Sequence, residues 1–308
     1  MSMYLSSSEL CAALAVPDLS DSSGDDPAGG VHALALLFDC IIEAATAPDA
    51  LPHRVVRSSP LVATVDNYDA LGFDARAITR DRRHSRYVSP TVMLRSHTSA
   101  GIPALLRQLE ADGDRDEVLV LPGLVFRRDQ IDRTHVAAPH QVDVWRVSAP
   151  TRRTVAELRD MVDALVSAVL PGARWREVPA AHPYTQKGRQ IDVLLDGEWL
   201  ELAECGLIDP ALLARCGLDP ERWSGLALGL GLDRALMLRK GIDDIRVLRS
   251  TDPRAVAQLR DLTPWRPIST LPPVTRDLSI LIDEDDDDET LGDTVRRALG
   301  TVGMPELT

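Results

Sequence analysis

Residues 191–195 and 198–203 are two short runs of strand formers, separated only by Asp196-Gly197. An Asp-Gly pair suits the positive-φ positions of a two-residue turn, so the two runs are expected to lie as adjacent antiparallel strands. A lone hairpin is marginal in water, and the rest of the chain must extend the sheet and cover it. Residues 117–128 and 140–147 read as two further strands joined by the polar stretch 129–139. Residues 226–232 read as a glycine-punctuated strand running into a helix over 233–240, stopped by Gly241. The clearest helix opens at the capping box of Thr154 and Glu157 and carries Leu158, Met161, Val162, Leu165, Val166, Val169 and Leu170 on one stripe. Helical spacing also marks 31–47, through Leu34, Leu37, Phe38, Ile41 and Ile42. Shorter helices are expected over 103–112 and from Asp209-Pro210 to Gly217. Residues 18–30 read as a flexible loop, and 76–86, with five arginines and His84 around Asp81, as an exposed one. Strands joined by hairpins with helices between them make an α+β domain on a mostly antiparallel sheet.

Composition narrows the class. The 308 residues are 44% hydrophobic and 26% charged, ordinary globular usage for one large domain or one large and one small. No apolar run approaches the length of a membrane span, and the start lacks the pattern of a secretory signal. Cys11, Cys40, Cys205 and Cys216 show no metal-ligand spacing and read as reduced thiols of a cytoplasmic protein. The net charge is −13, and seven of the negative charges lie in one run at 283–289; without them the balance is −6. An acidic total argues against tight non-specific binding of nucleic acid.

Three polar pieces interrupt the pattern. Leu124-Val125-Phe126-Arg127-Arg128-Asp129 ends a strand, and alternation gives Arg127 and Asp129 one face. In His140-Gln141-Val142-Asp143-Val144-Trp145, Gln141, Asp143 and Trp145 share a face while Val142 and Val144 take the other. Polar side chains on a core-like strand cost free energy unless they line a wet site. Gly229-Leu230-Gly231-Leu232-Asp233-Arg234 brings two glycines to a helix start, where anions are favoured. Each piece alone also reads as ordinary structure: a solvated ion-pair face, the wet side of a sheet, a common glycine turn.

In this order the pieces resemble class II aminoacyl-tRNA synthetases. Phe126-Arg127-Arg128-Asp129 resembles their motif 2, and Gly229-Leu230-Gly231-Leu232-Asp233-Arg234 their motif 3. The closer likeness is to the phenylalanyl-tRNA synthetase family. It is carried by Met93-Leu94-Arg95-Ser96-His97-Thr98-Ser99-Ala100, by residues 123–141 with Arg127 to Asp132 and His135 inside them, by Gly197-Glu198-Trp199-Leu200-Glu201, by Cys205-Gly206, and by 225–234 continuing to Asp243-Asp244-Ile245-Arg246. The likeness runs roughly from residue 53 to 282. Residues 265–280 resemble the opening of a ferredoxin-fold anticodon-binding domain, placed as in the single-chain, organellar-type enzyme.

The resemblance implies a class II synthetase-like antiparallel sheet flanked by helices over 1–264, plus a short partial ferredoxin-like tail over 265–308. It implies ATP- and Mg²⁺-dependent activation of an amino acid to an aminoacyl-adenylate, with transfer to tRNA. Arg127 would hold the α-phosphate and Arg234 the γ-phosphate, with Asp129, His135, Gly229 and Gly231 completing the ATP set. His97, Ser99, Gln141, Asp143, His182, Tyr184, Ala227 and Gly229 fall at the amino-acid positions. Glu201 would be the Mg²⁺ ligand, on a strand face shared with Trp199 and Ala203. The chain departs from the family at Pro139, His182, Tyr184, Gln186, Glu204 and Leu228. His182 and Tyr184 stand where the family has phenylalanines, which makes the pocket more polar and implies altered amino-acid specificity. Two other functions fit the same residues: a ligase that passes the acyl group to a small molecule, and a non-catalytic relative that binds tRNA or protein. The expected assembly is a monomer or homodimer, without membrane contact.

Overall fold

The computed structural model describes residues 4–23, 30–47, 50–109, 113–128, 131–195 and 197–269, with the single positions 291, 294 and 298. Its elements are α1 (Ser7–Leu14), α2 (Ala33–Thr46), β1 (His53–Val55), β2 (Leu61–Ala63), β3 (Arg86–Tyr87), β4 (Val92–Leu94), α3 (Ile102–Leu106), β5 (Arg115–Leu124), β6 (His140–Ala149), α4 (Val155–Val169), β7 (Arg174–Pro179), β8 (Thr185–Leu195), β9 (Glu198–Ile208), α5 (Pro210–Arg215), β10 (Ser224–Gly231), α6 (Leu232–Lys240) and α7 (Pro253–Gln258). The hairpin that constrained the sequence forms between β8 and β9, with Gly197 at φ +86°, and is longer at its open end than the local signal.

Seven strands make the main sheet in the order β1-β5-β6-β10-β9-β8-β7. Only the β1–β5 pair is parallel; the other five pairs are antiparallel. Alternation sorts the side chains as expected. Val142 and Val144 face a core with α2, α4 and α6, while Trp145 and Val147 face a second core with α3 and α5. The capping box of α4 is complete, with Thr154 Oγ1 accepting from the Glu157 N–H and the Thr154 N–H donating to Glu157. That helix buries Leu158, Val162, Leu165, Val166 and Val169, each worth about 1.5–3 kcal/mol relative to exposure. Gly241 closes α6 in the left-handed conformation at φ +68°.

Three readings change. Residues 76–86 are not simply an exposed loop. Arg80 pairs with Asp69 at 2.9 Å and lies 4.9 Å above the Tyr68 ring, and the Tyr68 hydroxyl donates to the Thr79 carbonyl at 2.7 Å. Nor is all of 18–30 a free loop: Ser20 is buried, Arg57 reaches Asp18 and Ser20, and the Leu19 N–H donates to His140 Nε2 at 3.0 Å. The helix expected over 103–112 spans only Ile102–Leu106, and 110–112 lie outside the described residues. The sequence reading also passed over α1, which has its own capping box of Ser6 and Glu9 and packs Leu10 and Ala13 against Leu94, Leu124 and Phe126. Most of the tail segment 265–308 lies outside the described residues. Its first residue, Trp265, packs on the main core and donates to the Lys240 carbonyl, while buried Lys240 Nζ holds Asp261 and Thr263.

Candidate active site

The site lies on the face of the sheet opposite α2, α4 and α6, where β6 turns its polar residues. Asp143 is 4% exposed. Its carboxylate accepts from Thr98 Oγ1 at 2.6 Å, Ser99 Oγ at 2.7 Å and Trp145 Nε1 at 2.8 Å. Burial raises its pKa against these three donors and the Arg95 charge behind it. A carboxylate offers about four acceptor sites, so three donors leave about one for a ligand. Arg95 is itself buried, and desolvation brings it down to about 10. It donates through Nε to the Leu124 carbonyl and lies so close to Gly123, at φ +141°, that a Cβ there would meet it at 2.1 Å. Only glycine serves at that point of β5.

Arg127 follows β5. Its Nε donates to the Ser96 carbonyl at 2.8 Å, and Arg86 Nε donates to its carbonyl at 3.3 Å. This fixes the guanidinium at the wall of a cavity of about 430 Å³. The terminal nitrogens make no hydrogen bond among the described residues. The cavity is also lined by His97, Ser99, Gln141, Asp143, His182, Tyr184, Ala227 and Gly229, so all eight expected amino-acid residues share one space with Arg127. Gln141 Oε1 is buried without a hydrogen-bond partner, and the buried His97 ring meets the Asn67 backbone without a well-formed hydrogen bond. Burial, with Arg127 and Arg95 nearby, holds His97 down at about 3, so the ring is neutral.

Aromatic rings wall the cavity. Tyr184 stacks on Trp145 and on His182 with centroids 5.9 Å apart in both pairs, and Phe73 stacks on His97 at 5.6 Å. Burial beside Asp143 pushes the Tyr184 phenol well above its usual range. Glu204 lines the cavity as well, and His182 Nε2 stands 3.1 Å from its Oε1, near enough to attract but off the line a hydrogen bond needs. Contact with His182 outweighs burial and keeps the Glu204 carboxyl below its usual range. Sequence reasoning noted Glu204 only as a departure, and missed Thr98, Tyr68, Phe73 and His84. The first was legible beside His97 and Ser99; the others needed the tertiary fold.

His135, Glu201, Gly231 and Arg234 do not line this cavity. Arg234, in the first turn of α6, donates through NH2 to His135 Nε2 at 3.2 Å, and His135 Nδ1 faces Asp132 at 3.0 Å. Gly231 is the N-cap of α6 and does not line the cavity. Asp129 lies outside the described residues. Glu201 is not on the face of Ala203. A bulge pairs Ile191 with Ala203 but Asp192 with Glu201, so Leu202 and Ala203 both enter the main core. The bulge leaves Glu201 exposed with Glu204 instead. Burial and the negative charges of Glu204 and Asp192 raise the Glu201 carboxyl, against the pull of Arg234 and Arg127. Among the described residues no cluster of three or more metal-ligating side chains occurs. All four cysteines are free.

An antiparallel sheet with an arginine after one strand, an acidic side chain on the next and a Gly-x-Gly strand running into an arginine-bearing helix is matched by known proteins. Residues 28–259 match the family model of the tRNA synthetases class II core domain (F). The chain belongs to that family. It is 35% identical over 241 residues to the phenylalanine–tRNA ligase alpha subunit of Prochlorococcus marinus (strain MIT 9313), covering 78% of this chain and 69% of the relative. It is 37% identical over 192 residues to that of strain NATL2A, covering 62% and 56%. The corresponding subunit of Mycobacterium avium (strain 104) is 32% identical over 246 residues, covering 77% and 69%. A pyrrolysyl tRNA synthetase from Desulfitobacterium hafniense has the same fold, with a TM-score of 0.53 at 17% identity over 70% of this chain and 72% of the other. The relatives named here are alpha subunits, whereas the tail had resembled a single-chain form. No helix among the described residues is long and apolar enough to cross a membrane.

Proposed function

We propose that this class II synthetase relative activates an amino acid with ATP and passes the acyl group to tRNA, with a specificity shifted away from phenylalanine. The observation that carries this reading is one cavity lined both by Asp143, with acceptor capacity to spare, and by Arg127, whose terminal nitrogens are unpaired among the described residues. Asp143, Ser99 and Gln141 suit an α-ammonium, and Arg127 suits the carboxylate and the phosphate it meets. An oxygen of the amino-acid carboxylate attacks the α-phosphorus, the new O–P bond forms, and the bond to pyrophosphate breaks. A hydroxyl of the acceptor then attacks the acyl carbon and AMP departs. Arg127 stabilises the charge that develops on the α-phosphate, and Arg234, oriented by His135, holds the terminal phosphate.

Glu201 fits a divalent cation, because partial burial and the neighbouring carboxylates of Glu204 and Asp192 raise its carboxyl and a cation would relieve both. Mg²⁺ is commonly held by one or two carboxylates together with substrate phosphates, so one protein ligand suffices. When bound, it would neutralise phosphate charge. Transfer to tRNA rests on the names of the relatives, of which this chain covers between 56% and 69%. Amino-acid-dependent exchange of labelled pyrophosphate into ATP tests the activation step. Exchange above background with at least one amino acid is expected; none across a full panel would overturn the reading.

A further inference from the structure

Within the cavity the charges do not balance. Its lining carries one arginine, Arg127, and no lysine, against two carboxylates, Asp143 and Glu204. On the activation reading, the α-ammonium goes to Asp143 and the carboxylate to Arg127. Glu204 is then left over. Its contact partner in the cavity is His182, 3.1 Å away and misaligned, with the Arg127 charge also acting on it, and His182 Nδ1 is engaged with Thr185 Oγ1 at 3.1 Å. The side chain of Glu204 is 47% exposed and that of His182 11%, so an acceptor oxygen remains reachable from the cavity. Neutral His97 lines the same cavity, its buried ring stacked on Phe73 and set against the Asn67 backbone. The walls between these groups are flat rings: Phe73, Trp145 and Tyr184.

We propose that this end of the cavity selects an amino acid whose side chain carries a nitrogen hydrogen-bond donor, with Glu204 as the accepting residue and His182 as its positioning partner. The proposal rests on the amino-acid-activation reading and names the substrate class of that site. A bare phenyl ring would cover Glu204 without pairing it. One buried polar group left unpaired costs about five- to a hundredfold in affinity. A site built around such groups can therefore reject an analogue that lacks the donor far more strongly than an apolar pocket rejects an extra methylene. An acidic side chain would meet Glu204 as a like charge. A donor nitrogen meets an ionised acceptor, and electron-rich ring faces add attraction if it is cationic. Glu204 and His182 stand at two of the positions where this chain departs from its family, and the fold makes them neighbours.

Calorimetric titration of the full chain with L-lysine, L-histidine and 4-amino-L-phenylalanine, against L-phenylalanine and L-glutamate, tests the selection without requiring catalysis. At least one donor-bearing probe should bind about tenfold more tightly than phenylalanine and glutamate. Glu204→Gln should reduce that preference about tenfold while leaving phenylalanine binding within about twofold. His182→Phe, a second variant in case the first does not fold, should weaken the donor probe and tighten phenylalanine. The proposal is overturned if phenylalanine binds as tightly as the best donor, if no probe binds, or if Glu204→Gln weakens every probe equally. Pyrophosphate exchange with the same panel separates the two readings. Exchange led by phenylalanine removes the selectivity and leaves activation standing. Selective binding without exchange removes activation and leaves the selectivity.

Discussion

At one end of the cavity Asp143 is held by three hydrogen bonds of 2.6–2.8 Å from Thr98, Ser99 and Trp145. Elsewhere on the cavity wall His182 and Glu204 stand 3.1 Å apart without alignment. The contrast separates two jobs. Asp143 and the Nε of Arg127 are held in place before a substrate arrives, which removes reorganisation from the reaction itself, while Gln141 Oε1 and the Arg127 terminal nitrogens are left for the ligand. The Glu204–His182 contact is held less firmly, and it is the one a ligand's side chain would complete. If that division is right, substitutions at the first end should reduce turnover for all amino acids alike, and substitutions at the second should redistribute preference.

Arg127→Ala should break the comparison most visibly. Losing one donor aimed at developing charge costs about 10²–10³ in rate, and pyrophosphate exchange should fall by that much for every amino acid. The far-ultraviolet circular dichroism should not change, because among the described residues the Arg127 side chain contributes one hydrogen bond, to the Ser96 carbonyl. A folded variant with an unchanged exchange rate would remove Arg127 from the machinery. Asp143→Asn should come next. It keeps the volume and removes the charge, and a hydrogen bond to a charged group is worth about 1.5–3 kcal/mol. KM for the amino acid should rise about 10- to 100-fold while KM for ATP stays put. An equal rise in both would mean that Asp143 supports the fold of the site rather than the ammonium.

The two ends were unequally legible in the sequence, for a physical reason. Asp143, Gln141 and Trp145 were assigned to one face from strand alternation alone, and β6 is regular, so the assignment held. The capping box at Thr154 and the turn at Gly197 are likewise local, and both formed where expected. Glu201 was placed on the wrong face because one bulge in β9 shifts the parity of everything beyond it, and no local signal announces the bulge. The 76–86 stretch looked exposed because its composition is polar. Its burial comes from partners elsewhere, the Asp69 carboxylate under Arg80 and the Tyr68 ring. The His182–Glu204 contact joins residues 22 positions apart, and each was visible beforehand only as a departure. Asp129 and most of the tail lie outside the described residues.

A matched pair of smaller substitutions sharpens the contrast within one experiment. Thr98→Val and Thr185→Val each exchange a hydroxyl for a methyl of similar shape. The first removes the 2.6 Å donor to buried Asp143 and should destabilise the protein by about 1–3 kcal/mol. The second removes the 3.1 Å contact with His182 Nδ1, on a ring that already tolerates a misaligned partner, and should cost less than about 1 kcal/mol. Urea denaturation of both variants at pH 7 reads the difference directly. Equal losses would mean that the two ends are equally preorganised.

The smallest expected effect tests the burial of the cavity wall at His97 by acid. His97 is held at about 3 by burial and by the charges of Arg127 and Arg95, whereas an unfolded chain has an ordinary histidine near 6.5. Below about pH 6.5 the unfolded chain therefore takes up a proton that the folded chain refuses. Acid then favours unfolding, and the stability contributed by neutral His97 is lost as pH falls from about 6.5 towards 3. Between about pH 6.5 and 5.5 the loss amounts to about 1 kcal/mol, and this window lies above the ordinary range of the carboxylates, which would otherwise mask it. His97→Phe keeps a ring against Phe73 and removes the titration. The wild-type chain should lose about 1 kcal/mol more than this variant across that window, measured by urea denaturation at each pH. Parallel pH profiles would show that His97 takes up its proton in the folded state as easily as in the unfolded one. In that case the ring would be reachable by water, and this part of the cavity wall would be hydrated before any ligand arrives.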